Sequence, residues 1–187
     1  AATGIIGGAG NDVVTINNAS GSTAGRFVAD GRSGIDTLWM HRFDSTKNLS
    51  FTLSANATLV NGDVTARNFE QVHIIAGQGN DTLTAGNLAD DLNGMAGNDT
   101  LKGLGGDDKL TGWYGADTIL GGDGDDTIWG SGGIKDTHAD KLYGEGGDDL
   151  ITMNVSDYAS GGSGADRVVV DFSGRPGLHM RVDFKSG

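Results

Sequence analysis

The chain has 187 residues, 34 of them glycine, with one proline and no cysteine, and 25 Asp plus Glu against 13 Lys plus Arg give it a formal net charge of −12. That balance repels polyphosphates and argues against a nucleic-acid partner, while the absence of cysteine removes disulfide frameworks and thiolate metal sites. No run approaches the ~20 apolar residues of a membrane-spanning helix, and glycine lacks the every-third-residue period of collagen.

The N-terminus, Ala1-Ala2-Thr3, carries neither a methionine nor a charged-then-apolar export signal, so the chain is expected to be a piece or processed product of something longer. From residue 7 a nine-residue pattern begins. It reads GGAGNDVVT at 7–15 and GRSGIDTLW at 31–39, and from residue 76 it runs six times without a gap: AGQGNDTLT, AGNLADDLN, GMAGNDTLK, GLGGDDKLT, GWYGADTIL and GGDGDDTIW. A copy ending THADKLY (137–143) follows five extra residues, and GEGGDDLIT (144–152) and GGSGADRVV (161–169) complete the series.

Two columns hold in every copy. Position six is aspartate: Asp12, Asp36, Asp81, Asp90, Asp99, Asp108, Asp117, Asp126, Asp140, Asp149 and Asp166. Position eight is aliphatic: Val14, Leu38, Leu83, Leu92, Leu101, Leu110, Ile119, Ile128, Leu142, Ile151 and Val168. A disordered glycine-rich linker has no reason to keep both columns in phase, so internal repetition decides the fold class.

Each nonapeptide divides into a three-residue strand, such as Thr82-Leu83-Thr84, and a six-residue glycine turn with positive φ at several positions. Two nonapeptides make one eighteen-residue coil, so copy i lies beneath copy i+2 and the aliphatic column fills the interior from both sides. Asp81, Asp99 and Asp117 then line one edge and Asp90, Asp108 and Asp126 the other. Two carboxylates ~6 Å apart repel by roughly 3 kcal/mol at an effective dielectric of ~20, so a cation is expected between them. Hard carboxylate and carbonyl oxygens, with no cysteine or histidine in the column, select Ca²⁺ over zinc or copper. The turn glycines Gly77, Gly79, Gly97, Gly106, Gly115, Gly122, Gly124, Gly147, Gly162 and Gly164 are expected to aim carbonyls at the ions. Folding should therefore be switched by metal.

These blocks resemble the G-G-x-G-x-D-x-U-x repeat of the RTX (repeats-in-toxin, hemolysin-type) calcium-binding family. The resemblance implies an all-β, right-handed parallel β-roll binding several Ca²⁺ ions. It also implies export by a type I secretion system, with folding outside the cell or at the bacterial surface, where calcium is plentiful. The chain is expected to form one such domain over 1–187. Residues 1–39 hold the first repeats, 40–75 an interruption, 76–152 the main block with an insertion near 130–137, and 153–187 the last repeat and terminal strands.

Departures from the pattern carry their own expectations. Leu88 and His138 stand at position four, where positive φ is expected; Met95, Leu104 and Trp113 replace glycine at position two, where binding should weaken or rest on carbonyls alone. The insertion around Ile134, Lys135 and Asp136 should loop out. In the interruption, Leu49-Ser50-Phe51-Thr52-Leu53 and Phe69-Glu70-Gln71-Val72-His73-Ile74 alternate like longer strands that thicken the roll and give Phe43, Phe51 and Phe69 somewhere to pack. The tail should form a hairpin-like pair around Gly174-Arg175-Pro176-Gly177. Trp39, Trp129 and Tyr143, at position nine, should face outward, as ordinary surface aromatics or as a surface for a polysaccharide, a host protein or another copy of the module.

No motif with a catalytic mechanism is present: H-E-x-x-H, G-x-S-x-G and the phosphate-binding loop are missing. Asp123-Gly124-Asp125-Asp126 resembles the start of an EF-hand loop but lacks its later glycine and glutamate. His41, His73, His138 and His179 are scattered and are read as structural or solvent-facing. The expectation is a non-enzymatic, structural or adhesive module. The alternative is an accessory module of a secreted protease, lipase or alginate epimerase whose catalytic domain lies outside this chain.

Overall fold

A computed structural model describes residues 3–17, 27–43, 45–53, 58–60, 64–131 and 136–172. Among these residues there are eighteen strands and no helix. Strands β1 (Thr3–Ile6) and β2 (Val13–Asn17) flank the first glycine turn, and β3 (Phe27–Asp30) and β4 (Thr37–His41) flank the second. The interruption contributes β5 (Ser50–Thr52), β6 (Thr58–Val60), β7 (Val64–Arg67) and β8 (Gln71–Ile75). The contiguous repeats give β9 (Thr82–Thr84), β10 (Asp91–Ala96), β11 (Thr100–Gly105), β12 (Lys109–Tyr114), β13 (Thr118–Asp123) and β14 (Thr127–Trp129). The last four are β15 (Lys141–Gly146), β16 (Leu150–Asn154), β17 (Tyr158–Ser163) and β18 (Arg167–Asp171).

Successive strands alternate between two facing sheets. One has the order β18-β16-β14-β12-β10-β8-β4-β2 and the other β17-β15-β13-β11-β9-β5, while β1-β3-β7-β6 forms a third sheet at the N-terminal end. All pairings are parallel except β6 with β7. This is a parallel β-roll. Its register follows from the coil length: Leu92 pairs with Leu110 and Leu101 with Ile119, eighteen residues apart. The five-residue insertion lengthens one coil, pairing Ile119 with Leu142 and Ile128 with Ile151, and the next coil is one residue short, pairing Leu142 with Ala159.

The three-residue strand expected of each repeat is found at β9 and β14. In β10 to β13 and in β15 the extended backbone runs on through positions one to three of the next copy, giving six residues. Alternation then buries every second side chain. The position-eight side chains from Val14 to Ile151 are buried, as are Val72, Ile74 and Phe51 from the interruption. Val168 departs from the expected column: it is 45% exposed, because it sits in the terminal strand pair, with no further coil among the described residues to cover it.

The interruption is built into the stack. β8 lies between β4 and β10, and β5 pairs with β9. Phe51 and Phe69 are buried, but Phe43 is 49% exposed. β4 ends at His41, and the Phe43 ring leaves the roll to sit 5.5 Å from the His41 ring on the outside. The tail around Gly174–Gly177 and the insertion residues Ile134 and Lys135 lie outside the described residues, as does His179. Asp136, expected in the looped-out insertion, is instead buried and accepts hydrogen bonds from the amides of Gly115, Thr137 and His138.

Candidate metal centre

Each position-six aspartate enters the roll at the end of a glycine turn, immediately before a strand. Parallel stacking places it above its counterpart one coil later, and the two are linked by a repeated hydrogen bond. Along one edge the amides of Asp90, Asp108, Asp126 and Asp149 donate to Oδ1 of Asp108, Asp126, Asp149 and Asp166, at 2.7–3.1 Å. Along the other edge the amides of Asp81, Asp99 and Asp117 donate to Oδ1 of Asp99, Asp117 and Asp140. The amide of Asp12 donates in the same way to Asp36.

Two members of these ladders do not stand out in the sequence. Asp157 accepts from the Asp140 amide at 3.0 Å, although Ala159 stands where the aliphatic residue belongs and the copy is one residue short. Glu70 accepts from the Asp36 amide at 2.9 Å. Only three residues separate Arg67 from Gln71, against six between Asp30 and Thr37, so the longer glutamate side chain spans a shorter turn. Asp157 could have been found by its aspartate two residues before a small apolar one; Glu70 had no comparable signal.

The ladders satisfy one carboxylate oxygen of each aspartate and leave the other in question. Oδ2 of Asp36, Asp99, Asp108, Asp117, Asp126, Asp140 and Asp149 is buried without a hydrogen-bond partner. A buried anion with an unmet oxygen is costly unless a proton or cation meets it. The pKa values register the same conflict. Burial pushes Asp99 and Asp108 up to about 8, against the lowering effect of the amide each accepts from, and neighbouring carboxylates push in the same direction. Burial likewise raises Asp140 to about 7 and Asp90, Asp117 and Asp126 to about 6.

The space beside these oxygens is shaped by position-one glycines. A Cβ on Gly103, Gly112, Gly121 or Gly144 would collide with Oδ2 of that turn's own aspartate and would also meet, at 2.5–2.7 Å, the carbonyl oxygen of Gly121, Gly130, Gly144 or Gly161 one coil on. Carboxylate and carbonyl oxygens thus converge where no side chain fits, and such a hard-oxygen set suits Ca²⁺. Among the described residues no three acidic or histidine side chains converge on one point. Each turn supplies a single inward carboxylate, and the other protein oxygens beside it are backbone carbonyls.

The candidate glycines have separate duties. At position four, Gly97, Gly106, Gly115, Gly124, Gly147 and Gly164 have φ between 97° and 134°, and a Cβ on any of them would strike the backbone of the preceding coil. At position two, Gly122 and Gly162 have φ of 122° and 112°. Gly77 and Gly79 adopt no positive φ and instead pack closely against the backbone of Ser45 and Asn48. Leu88 and His138 also adopt no positive φ, contrary to their expected geometry. The left-handed conformation falls instead on position two, at Arg32, Met95, Leu104, Trp113 and Glu145, with φ of 73–79°.

An outer ladder runs alongside at position five, in the opposite sense. The amides of Asn98, Ala116, Asp125 and Asp148 donate back to Oδ1 of Asn80, Asn98, Asp107 and Asp125 in the preceding coil.

The outward side chains behave differently from one another. Trp39 is 40% exposed and stacks on His73 with ring centroids 4.6 Å apart, whereas Trp129 and Tyr143 are half-buried. His73 Nδ1 lies 3.1 Å from Asp91 Oδ2, on the outer face and away from the aspartate rows.

The family model described as RTX calcium-binding nonapeptide repeat (4 copies) matches residues 5–15, 73–87, 84–113, 111–133 and 137–152. An imidazoleglycerol-phosphate dehydratase of Methylibium petroleiphilum is 90% identical over 21 residues, a stretch covering 11% of this chain and 11% of that protein. The chain therefore spans about a tenth of that relative's length, too little for an activity to carry over. No helix among the described residues is long and apolar enough to cross a membrane. With its matched repeats and parallel roll, the chain carries RTX calcium-binding nonapeptide repeats, and these repeats bind Ca²⁺.

Proposed function

We propose that this chain is a secreted or cell-surface module that leaves the cell unfolded and folds on meeting extracellular calcium, where it serves a structural and adhesive role. Buried carboxylate oxygens without partners, in two rows, are the observation that carries this reading. Low cytosolic calcium leaves those charges to oppose folding, which suits passage through a type I exporter. Calcium outside the cell meets them. The aspartate column, the aligned carbonyls and the position-one glycines are the residues assigned to the ions. The test is circular dichroism of the whole chain during calcium titration from chelator, with β signal expected to appear cooperatively. A fold fully formed without calcium would remove the export argument.

The adhesive role has its own support. Trp113 and Trp129 flank a cleft of about 380 Å³ on the outer face of the larger sheet, with Asn93, Thr111 and Thr152 among its polar lining. Asn93 Oδ1 is buried there without a hydrogen-bond partner. Aromatic faces with a few convergent polar groups suit a sugar ring of a surface polysaccharide. Tryptophan fluorescence should report glycan binding in calcium, and Trp129→Ala should abolish it while leaving calcium-driven folding in place.

A further inference from the structure

We infer that the roll contains two kinds of turn and that only one kind takes calcium, an inference that rests on calcium being the ion of the aspartate rows. In the turns ending at Asp12, Asp81 and Asp90, the position-two amides of Gly8, Gly77 and Gly86 donate to Oδ2 of the same turn's aspartate, at 2.6, 3.2 and 2.8 Å. None of these three glycines has a positive φ. In the turns ending at Asp36, Asp99, Asp108, Asp117, Asp126 and Asp149, Oδ2 has no partner, and position two is Arg32, Met95, Leu104, Trp113, Gly122 or Glu145, every one with positive φ. The two properties change together. Rotation of position two into the left-handed region takes its N–H off the carboxylate and leaves the turn open for a cation.

Asp81 and Asp90 need no ion. Oδ1 of Asp81 accepts from the Leu49 amide and Oδ1 of Asp90 from the Val72 amide, so each carboxylate has both oxygens bonded by backbone. The interruption supplies the Oδ1 donors, while the Gly77 and Gly86 amides of the turns themselves close Oδ2, which makes these two turns an ion-free base on which the open coils stack. Asp140 belongs with the open turns: its Oδ2 is unpartnered, and Gly130, across the insertion, approaches it as position-one glycines do elsewhere.

The closed turns of the main block also carry a mark in the sequence. Their position-one residues are Ala76 and Ala85, both fully buried, whereas the open turns at 31, 94, 103, 112, 121 and 144 have glycine there. In those open turns a Cβ at position one would collide with Oδ2 of the aspartate or come within 2.5 Å of it. Alanine at position one is therefore incompatible with an open turn, which reverses the expectation that Met95, Leu104 and Trp113 mark the weaker sites.

The test is anomalous X-ray scattering from crystals of the calcium-loaded chain, paired with equilibrium dialysis of ⁴⁵Ca on single variants. Ions are expected at Oδ2 of Asp99, Asp108, Asp117 and Asp126 and not at Asp81 or Asp90. At a calcium concentration that just saturates the wild type, Asp99→Asn and Asp108→Asn should each lose about one ion per chain, while Asp90→Asn should lose none. Calcium on Asp81 or Asp90, or an equal loss in Asp90→Asn and Asp108→Asn, overturns the division into two kinds of turn and leaves the calcium reading intact. Ions at none of these carboxylates would sink the calcium reading itself. The scattering experiment uses the wild-type chain, so it decides the matter even if a variant does not fold.

Discussion

The backbone amide of Asp108 donates to Oδ1 of Asp126, one coil later, at 2.8 Å, while Oδ2 of both carboxylates is buried without a partner. The bond holds the stack in register, but it also forces two anions toward each other in a place water does not reach. Stacking in this roll is thus coupled to charge.

Metal removal should unfold the repeat block. In chelator the circular-dichroism spectrum should be that of a disordered chain, with β signal returning at roughly 10⁻⁴–10⁻³ M calcium, the range of extracellular modules. Magnesium should replace calcium poorly, because it holds its waters and demands tight octahedral geometry. An unchanged β spectrum in chelator would contradict the role given to the aspartate rows.

Charge loss and core loss should differ in kind. Asp108→Asn keeps the side-chain size and removes one charge beside Asp90 and Asp126, so its calcium midpoint should shift while saturating calcium restores the wild-type spectrum. Leu101→Ala opens a cavity at a fully buried position, at a cost of about 2–5 kcal/mol. Its melting temperature should stay low even at saturating calcium. Calorimetry of the two calcium-loaded variants makes the comparison, and equal recovery by both would refute the account of the core.

The pH dependence has a definite sign. The aspartates raised to between about 6 and about 8 bind protons more tightly in the metal-free fold than in the unfolded chain, where the ordinary value is about 3.9. That proton-linked stability is complete below pH ~4 and is lost as pH rises through about 6 to 8. Calcium-free protein should therefore gain β structure on acidification from pH 8 toward 5. The calcium midpoint should stay nearly level between pH 6 and 8, because the unfolded and calcium-bound chains are both deprotonated there. A midpoint that climbs steeply as pH falls across that interval would show that the starting state is already folded and protonated.

Two substitutions separate strain from fit. Leu104 is 47% exposed with φ of 79°, so Leu104→Gly relieves about 1–2 kcal/mol of left-handed strain against a smaller entropic loss. Its melting temperature in calcium should match or slightly exceed the wild type. Gly115 has φ of 129°, and a Cβ there collides with the carbonyl oxygen of Gly97. Gly115→Ala should lose more than about 2 kcal/mol and raise the calcium midpoint. Thermal melts in saturating calcium, with the reverse ordering, would reject the turn geometry.

The repeat was legible because its two columns answer to purely local rules. An eighteen-residue coil must bury the same position each time round, so Leu92, Leu101 and Leu110 announce themselves by spacing alone, and so do the aspartates that precede them. The five extra residues before Asp140 could be counted in the same way. What the sequence could not decide is how each turn meets its neighbours. Oδ2 of Asp90 is bonded only because the Gly86 amide turns toward it, and its Oδ1 is bonded by a donor, Val72, that stacks one coil earlier. Glu70 joins the ladder only because a turn shortened by three residues brings it under Asp36, and Phe43 faces solvent only because β4 ends before it. Periodicity fixes which residues recur in a solenoid; which oxygens remain unpaired is settled by contacts between coils, where the chain neighbours are seventeen or more residues away.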